Sequence, residues 1–133
     1  MEITYGEAIR EALDKELGND ENVVLFGQDI QHNVYGYTGN LLNKYGSKRV
    51  INTPLSESAV VGTAIGAAMC GLKTIVDLTV GNFLYVAMDQ IASIAAKNAY
   101  MYNGQFKLPL TIMCSTLYNT SSAAQHSDRP HPM

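Results

Sequence analysis

Apolar positions recur along this chain at two alternating periods. Ala8, Ile9, Ala12, Leu13 and Leu17 fall three or four residues apart, which is the spacing of one helix face. Thr4 and Glu7 precede them as a capping box, Gly18 reads as the stop, and Asn19–Asp20 begin a loop. Residues 23–26 (Val-Val-Leu-Phe) are a continuous apolar run, the mark of a strand buried on both faces, and they end in Gly27-Gln28-Asp29. A polar loop follows over 30–38. Leu41, Leu42 and Tyr45 then predict one or two helical turns closed by Gly46. Val50 and Ile51 make a very short strand ending at Thr53-Pro54. Ser56 is placed to cap a helix over 57–72, whose Gly62, Gly66 and alanines favour close packing and whose stop is Gly71. A third strand is predicted over 74–79 and a long helix over 82–101, with Met88, Ile91, Ile94 and Ala95 on its apolar stripe. Asn103-Gly104 reads as a turn, 108–114 as a fourth strand and 115–126 as a loop.

Helices alternating with short, wholly apolar strands predict an α/β fold with a doubly wound, mainly parallel sheet. Ligands of such sheets bind beyond the carboxyl ends of the strands. Three segments lie there: 27–29, 53–57 and 115–126. After His126 the chain reads Ser-Asp-Arg-Pro-His-Pro and reaches Met133 with no further element. An open parallel edge is normally covered, so the chain is expected to be a fragment or a subunit completed by another chain.

Composition narrows the function. The 133 residues fit one domain, and charged residues are only 16% of them, which suggests surface buried in an oligomer. A net charge of −3 with scattered Lys and Arg argues against nucleic acid. No stretch is long and apolar enough for a membrane span, and the charged N-terminus is unlike a signal peptide. A soluble cytoplasmic protein is expected, or one of an organelle matrix in a eukaryote. Cys70 and Cys114 both read as small buried hydrophobes in a reducing compartment.

Few side chains stand out chemically. Glu57 follows a strand end and opens a helix, where a carboxylate also simply complements the helix dipole. Its apolar neighbours Leu55, Ala59, Val60 and Val61 would desolvate it and make it readier to share a proton. His126 lies at the same sheet edge, although loop histidines, like His32 and His131, are usually solvated. No metal-ligand spacing is present, Ser58 and Ser127 lack a nucleophile elbow, and no phosphate-binding glycine loop occurs.

Six segments, in order, carry a resemblance: 7–13 (EAIREAL), 27–29 (GQD), 49–57 (RVINTPLSE) continuing through 62–68 (GTAIGAA), 89–91 with 95–97 and 100–101, and 123–127 (AAQHS). Together they resemble the beta subunits of thiamine-diphosphate-dependent 2-oxoacid dehydrogenases over nearly the whole chain. The resemblance implies that residues 1–133 are the N-terminal part of a transketolase-like pyrimidine-binding domain. It implies Glu57 as the carboxylate that sets the tautomer of the cofactor's pyrimidine, and His126 as an aid to acyl transfer to lipoamide. Leu55, Phe83 and Thr79 would be cofactor contacts, Thr79 standing where the family often has Met. Magnesium and the diphosphate would be held mainly by an alpha subunit. Further partners would be a second beta subunit and a lipoyl-bearing acyltransferase.

Two departures are visible. Residues 115–122 (STLYNTSS) replace a glycine-rich stretch, and the chain is expected to reach Met133 inside the pyrimidine-binding domain; Gln28 also stands where the family commonly has Glu. Pyruvate, branched-chain oxoacids and acetoin stay open as substrates. A transketolase or deoxyxylulose-phosphate synthase would use the same glutamate, though it should want more basic residues. A non-catalytic assembly module is the third reading.

Overall fold

Thr4 opens the first helix as its spacing predicts. Its hydroxyl accepts from the Glu7 amide at 3.2 Å, and the Glu7 carboxylate accepts from the Thr4 amide at 2.8 Å. In the computed structural model, which describes residues 2–116 and 122–127, this helix is α1 (Tyr5–Asn19), with Leu13 and Leu17 buried. It runs through Gly18 instead of stopping there. A β-carbon at position 18 would stand 3.1 Å from Tyr45 Oη, so the glycine makes room for that ring. Arg49 holds the helix end: its guanidinium donates to the carbonyls of Leu17 at 2.8 Å, Asp20 at 2.6 Å and Val23 at 3.0 Å. The same group lies 5.4 Å from the centre of the Tyr45 ring.

β1 (Val23–Gly27) is buried at every position. The predicted loop after it contains a 3-10 turn, Ile30–His32, and leads to α2 (Leu41–Tyr45) and β2 (Val50–Asn52). α3 (Glu57–Met69) begins after Ser56, which takes the cap position but makes no side-chain cap bond. It ends in a Schellman motif, with Leu72 N donating to Ala67 O and Gly71 N to Ala68 O. Gly71 has φ +102°, a conformation that suits glycine. β3 (Lys73–Val80) and β4 (Leu110–Ser115) complete the sheet, and Asn103 and Gly104 form the predicted turn, both at positive φ.

The long helix expected over 82–101 is broken. A 3-10 turn (Gly81–Leu84) is followed by a π-helical segment (Asp89–Ala95) and a short α4 (Asn98–Met101). The wide π turns let Ile91, Ile94 and Ala95 all pack on the α3 side of the core, which outweighs regular helix geometry. Gly62 of α3 faces Gln90 there, while Gly66 has no close neighbour among the described residues.

All strands are parallel, in the order β2-β1-β3-β4. On one side Val24, Phe26, Val76 and Leu78 pack against α3. On the other Val23, Leu25 and Val50 pack against Leu13, Leu17 and Leu41. The sheet is therefore doubly wound, as expected.

Replacing Arg49 by Ala removes a charged donor from three carbonyls, two of them at the α1 terminus, and leaves Asp20 O with only the Val23 amide among the described residues. It should lower stability by about 3 kcal/mol, the scale of lost bonds to a charged donor, readable by chemical denaturation. A second outcome concerns pH. Lys73 and the Asn22 amide hold the Asp20 carboxyl down at about 2. Its lowered folded-state pKa makes the contribution full above pH 4, and it is lost as pH falls from about 4 to about 2. Asp20→Asn should flatten that part of an acid-denaturation curve, and an unchanged curve would remove the Lys73–Asp20 pair from the account.

Candidate active-site cleft

The chain leaves β1 toward β2 on one side and returns to β3 on the other. A crevice opens where strand order reverses, beyond the carboxyl ends of β1 and β3. Gln28 borders it after β1, Thr53, Leu55 and Glu57 after β2, and Asp77 and Thr79 from β3.

Glu57 sits in the first turn of α3, half-buried. Val60 and Val61 beside it are buried, but Leu55 is 66% exposed and Ala59 faces solvent. The expected apolar surround is therefore one-sided in this chain. Thr53 donates its amide to Gly27 O at 3.0 Å, tying the exit of β2 to β1. Its hydroxyl oxygen is buried with no partner among the described residues.

The end of β3 is irregular. Asp77 pairs with Met113 and Val80 with Ser115, so β3 carries one extra residue as a bulge. Thr79 takes the strain at φ +62°, a left-handed conformation that costs a β-branched residue about 1–3 kcal/mol. Asp77 braces it. Its side chain is buried, one oxygen accepting from the Thr79 amide at 2.8 Å and the other from the Tyr37 hydroxyl at 2.9 Å. Two such bonds, at about 1 kcal/mol net each, are comparable with the strain. Ser115 Oγ lies 3.4 Å from the same Tyr37 oxygen. Burial pushes the Asp77 carboxyl above the usual carboxylate range, against the lowering effect of its two donors. Burial likewise raises the Tyr37 phenol, and it raises the Cys114 thiol with help from the Asp77 charge.

Phe83 lies on the 3-10 turn after β3 and meets the His126 ring edge-on, centroids 5.6 Å apart at 83°. His126 is half-buried, with Nδ1 3.1 Å from Ser122 O. A carbonyl only accepts, so this contact puts the proton on Nδ1 and leaves Nε2 of a neutral ring as acceptor. Of the residues singled out from sequence, Glu57, Leu55 and Thr79 line one cleft, while Phe83 and His126 form a neighbouring pair.

Other expectations fared variously. Cys70 is exposed, contrary to the buried reading, because α3 ends at Met69 and leaves it at the cap. His32 is exposed, and His131 lies outside the described residues, as does most of 115–122. The Ser58 and Ser127 hydroxyls donate to the carbonyls of Val86 and Ala123. No group of three His, Cys, Asp or Glu side chains able to hold a metal occurs among the described residues, and no helix of theirs is long and apolar enough to cross a membrane. Sequence reasoning missed Asp77 and Tyr37, and it placed Thr53 only within the ligand-side segment 53–57. Only Asp77 had a signal, as an acid within the apolar strand TIVDLTV.

With this geometry, the chain belongs to the transketolase pyrimidine-binding domain family, whose model matches residues 1–131. It is 40% identical over 129 residues to the pyruvate dehydrogenase E1 component subunit beta of Rickettsia bellii, covering 96% of this chain and 40% of that protein. The mitochondrial subunits of Bos taurus and Homo sapiens are 39% and 38% identical over 129 residues, again covering 96% of this chain but 36% of each relative. The chain thus spans about two fifths of the length of these relatives.

Glycine adopts φ +62° freely, so Thr79→Gly should leave stability unchanged or raise it by up to about 1 kcal/mol. The usual loss of about 1 kcal/mol for glycine in a strand, seen in a melt, would contradict the strain assigned to this residue.

Proposed function

We propose that this chain is the pyrimidine-binding part of the beta subunit of a thiamine-diphosphate-dependent 2-oxoacid dehydrogenase, with Glu57 as its tautomer-setting acid/base. The observation that carries the reading is the position of Glu57. It is a half-buried carboxylate at the strand-order reversal of a chain that belongs to the pyrimidine-binding family.

The lining of this shallow crevice, about 10 Å³, suits contact with a flat heteroaromatic ring along one side. Leu55, Val60 and Leu78 line the cleft with apolar surface, and the buried Thr53 hydroxyl oxygen lacks a protein partner among the described residues. Among the described residues neither Lys nor Arg lines this cleft, which suits a pyrimidine better than a diphosphate and disfavours a sugar-phosphate substrate. Leu55, Tyr85 and Val86 leave large apolar side chains exposed, surface of the kind a partner covers.

Thiamine diphosphate, when bound, supplies a thiazolium carbon that adds to the oxo carbon of the substrate and takes up the electrons left by carbon dioxide. Glu57 would share a proton with the pyrimidine nitrogen opposite the amino group and so favour its imino form. Leu55 and Thr79 would pack on the ring, with Phe83 against its face. His126, with Nε2 free to accept, would assist acyl transfer to lipoamide. An alpha subunit would hold the diphosphate and magnesium, a second beta subunit would complete the assembly, and a lipoyl-bearing acyltransferase would take the acyl group. Pyruvate is the first substrate to try, since the relatives quoted above are pyruvate dehydrogenase subunits.

The test is reconstitution of the full-length beta chain with its alpha partner, thiamine diphosphate and magnesium. Decarboxylation of pyruvate and branched-chain oxoacids, and cleavage of acetoin to an acyl unit and acetaldehyde, would be followed with a dye acceptor. Glu57→Gln should lower the rate by about 100-fold or more, the usual weight of a positioned acid/base. A Gln variant as active as the parent would end this assignment.

A further inference from the structure

The irregular end of β3 comes from a bulge whose extra residue is Thr79. Thr79 is a β-branched residue held in the left-handed region at φ +62°, and such a conformation persists only where its surroundings over-determine it. Among the described residues a buried side chain bonds to the strained peptide. Asp77, 3% exposed, accepts the Thr79 amide at 2.8 Å. Its second oxygen is anchored by Tyr37, whose own position is set by the 30–38 segment packed on the α1 side of the sheet. The carboxylate therefore joins two separate elements at the wall of the Glu57 cleft. A buried carboxylate carries a desolvation cost that an apolar residue would avoid. Packing alone gives no reason for a buried acceptor here, whereas bracing the bulge does.

We propose that Asp77 is a positioning residue of the pyrimidine cleft: its carboxylate clamps the β3 bulge, fixing where Thr79 stands opposite Glu57 and where the chain departs toward Phe83. The proposal rests on the reading of this cleft as the pyrimidine site. The clamp works as an acceptor, not as a charge. Asn at position 77 keeps an oxygen for the Thr79 amide and offers its NH2 to a reoriented Tyr37 hydroxyl. Ala keeps neither. Glycine at position 79 needs no clamp, because it reaches positive φ unaided.

The experiment uses the full-length beta chain. First, amide hydrogen exchange over 78–83 is read without cofactor. Asp77→Ala should speed it by about tenfold or more, and Asp77→Asn should not, since the bond to the amide is lost in one and kept in the other. Second, the half-saturating concentration of thiamine diphosphate is measured in the alpha–beta assembly with magnesium. It should rise by about tenfold in Asp77→Ala and stay within about threefold of the parent in Asp77→Asn. In Asp77→Ala/Thr79→Gly it should return to within about threefold of Thr79→Gly alone.

Unchanged exchange in Asp77→Ala overturns the clamp. So does an Asn variant as impaired as Ala, which would make the charge the operative feature. A double variant as impaired as Asp77→Ala overturns it too. If Asp77→Ala does not assemble, recovery of assembly by added Thr79→Gly supports the clamp, and no recovery overturns it. An unmodified assembly that takes up no thiamine diphosphate would defeat the functional reading instead, and the exchange arm would still decide the clamp.

Discussion

A parallel sheet in this kind of fold has no face to give to water, and this constraint organises the molecule. β1 is buried at all five positions, so helices must cover it from both sides. α1 and α2 supply one layer and α3 with the π-helical segment the other. To place covers on both faces the chain must run one way from β1 to β2 and the other way to β3. That reversal leaves a gap between connections at the carboxyl edge, and the cleft occupies it.

The edge then holds two carboxylates in different surroundings. Glu57 stands on a helix first turn, where the dipole and partial solvent access suit a carboxylate, and one side of it remains open. Asp77 is enclosed and satisfied by two donors from different elements. The first is open to a ligand on one side, and the second is enclosed and bonded to backbone and to Tyr37. Phe83 and His126 follow from the second, since the 3-10 turn carrying Phe83 begins directly after the braced strand.

Arg49 plays the matching part at the opposite edge. Its guanidinium gathers carbonyls from the end of α1 and the start of β1, and Tyr45 stacks beneath it in the space Gly18 leaves. Polar side chains thus close both ends of a sheet whose interior is almost wholly apolar. This is where the backbone groups freed by helix and strand ends must be satisfied.

Much of this was legible in the chain itself. The capping box at Thr4, the unbroken apolar run of β1 and the stop at Gly71 are local signals, because hydrogen bonds and φ preferences within a few residues produce them. Glu57 was legible too, as a carboxylate between a strand end and a glycine-rich helix, and six ordered motifs pointed to its family. The tertiary structure alone decided the rest. It broke the helix expected over 82–101 into π and 3-10 pieces, because contact with α3 outweighed regular hydrogen bonding. It carried the helix through Gly18, because a tyrosine 27 residues away needed the space. It brought Tyr37 to Asp77 across 40 residues of chain, a pairing no local pattern encodes, since both residues depend on the crossing of the sheet to meet.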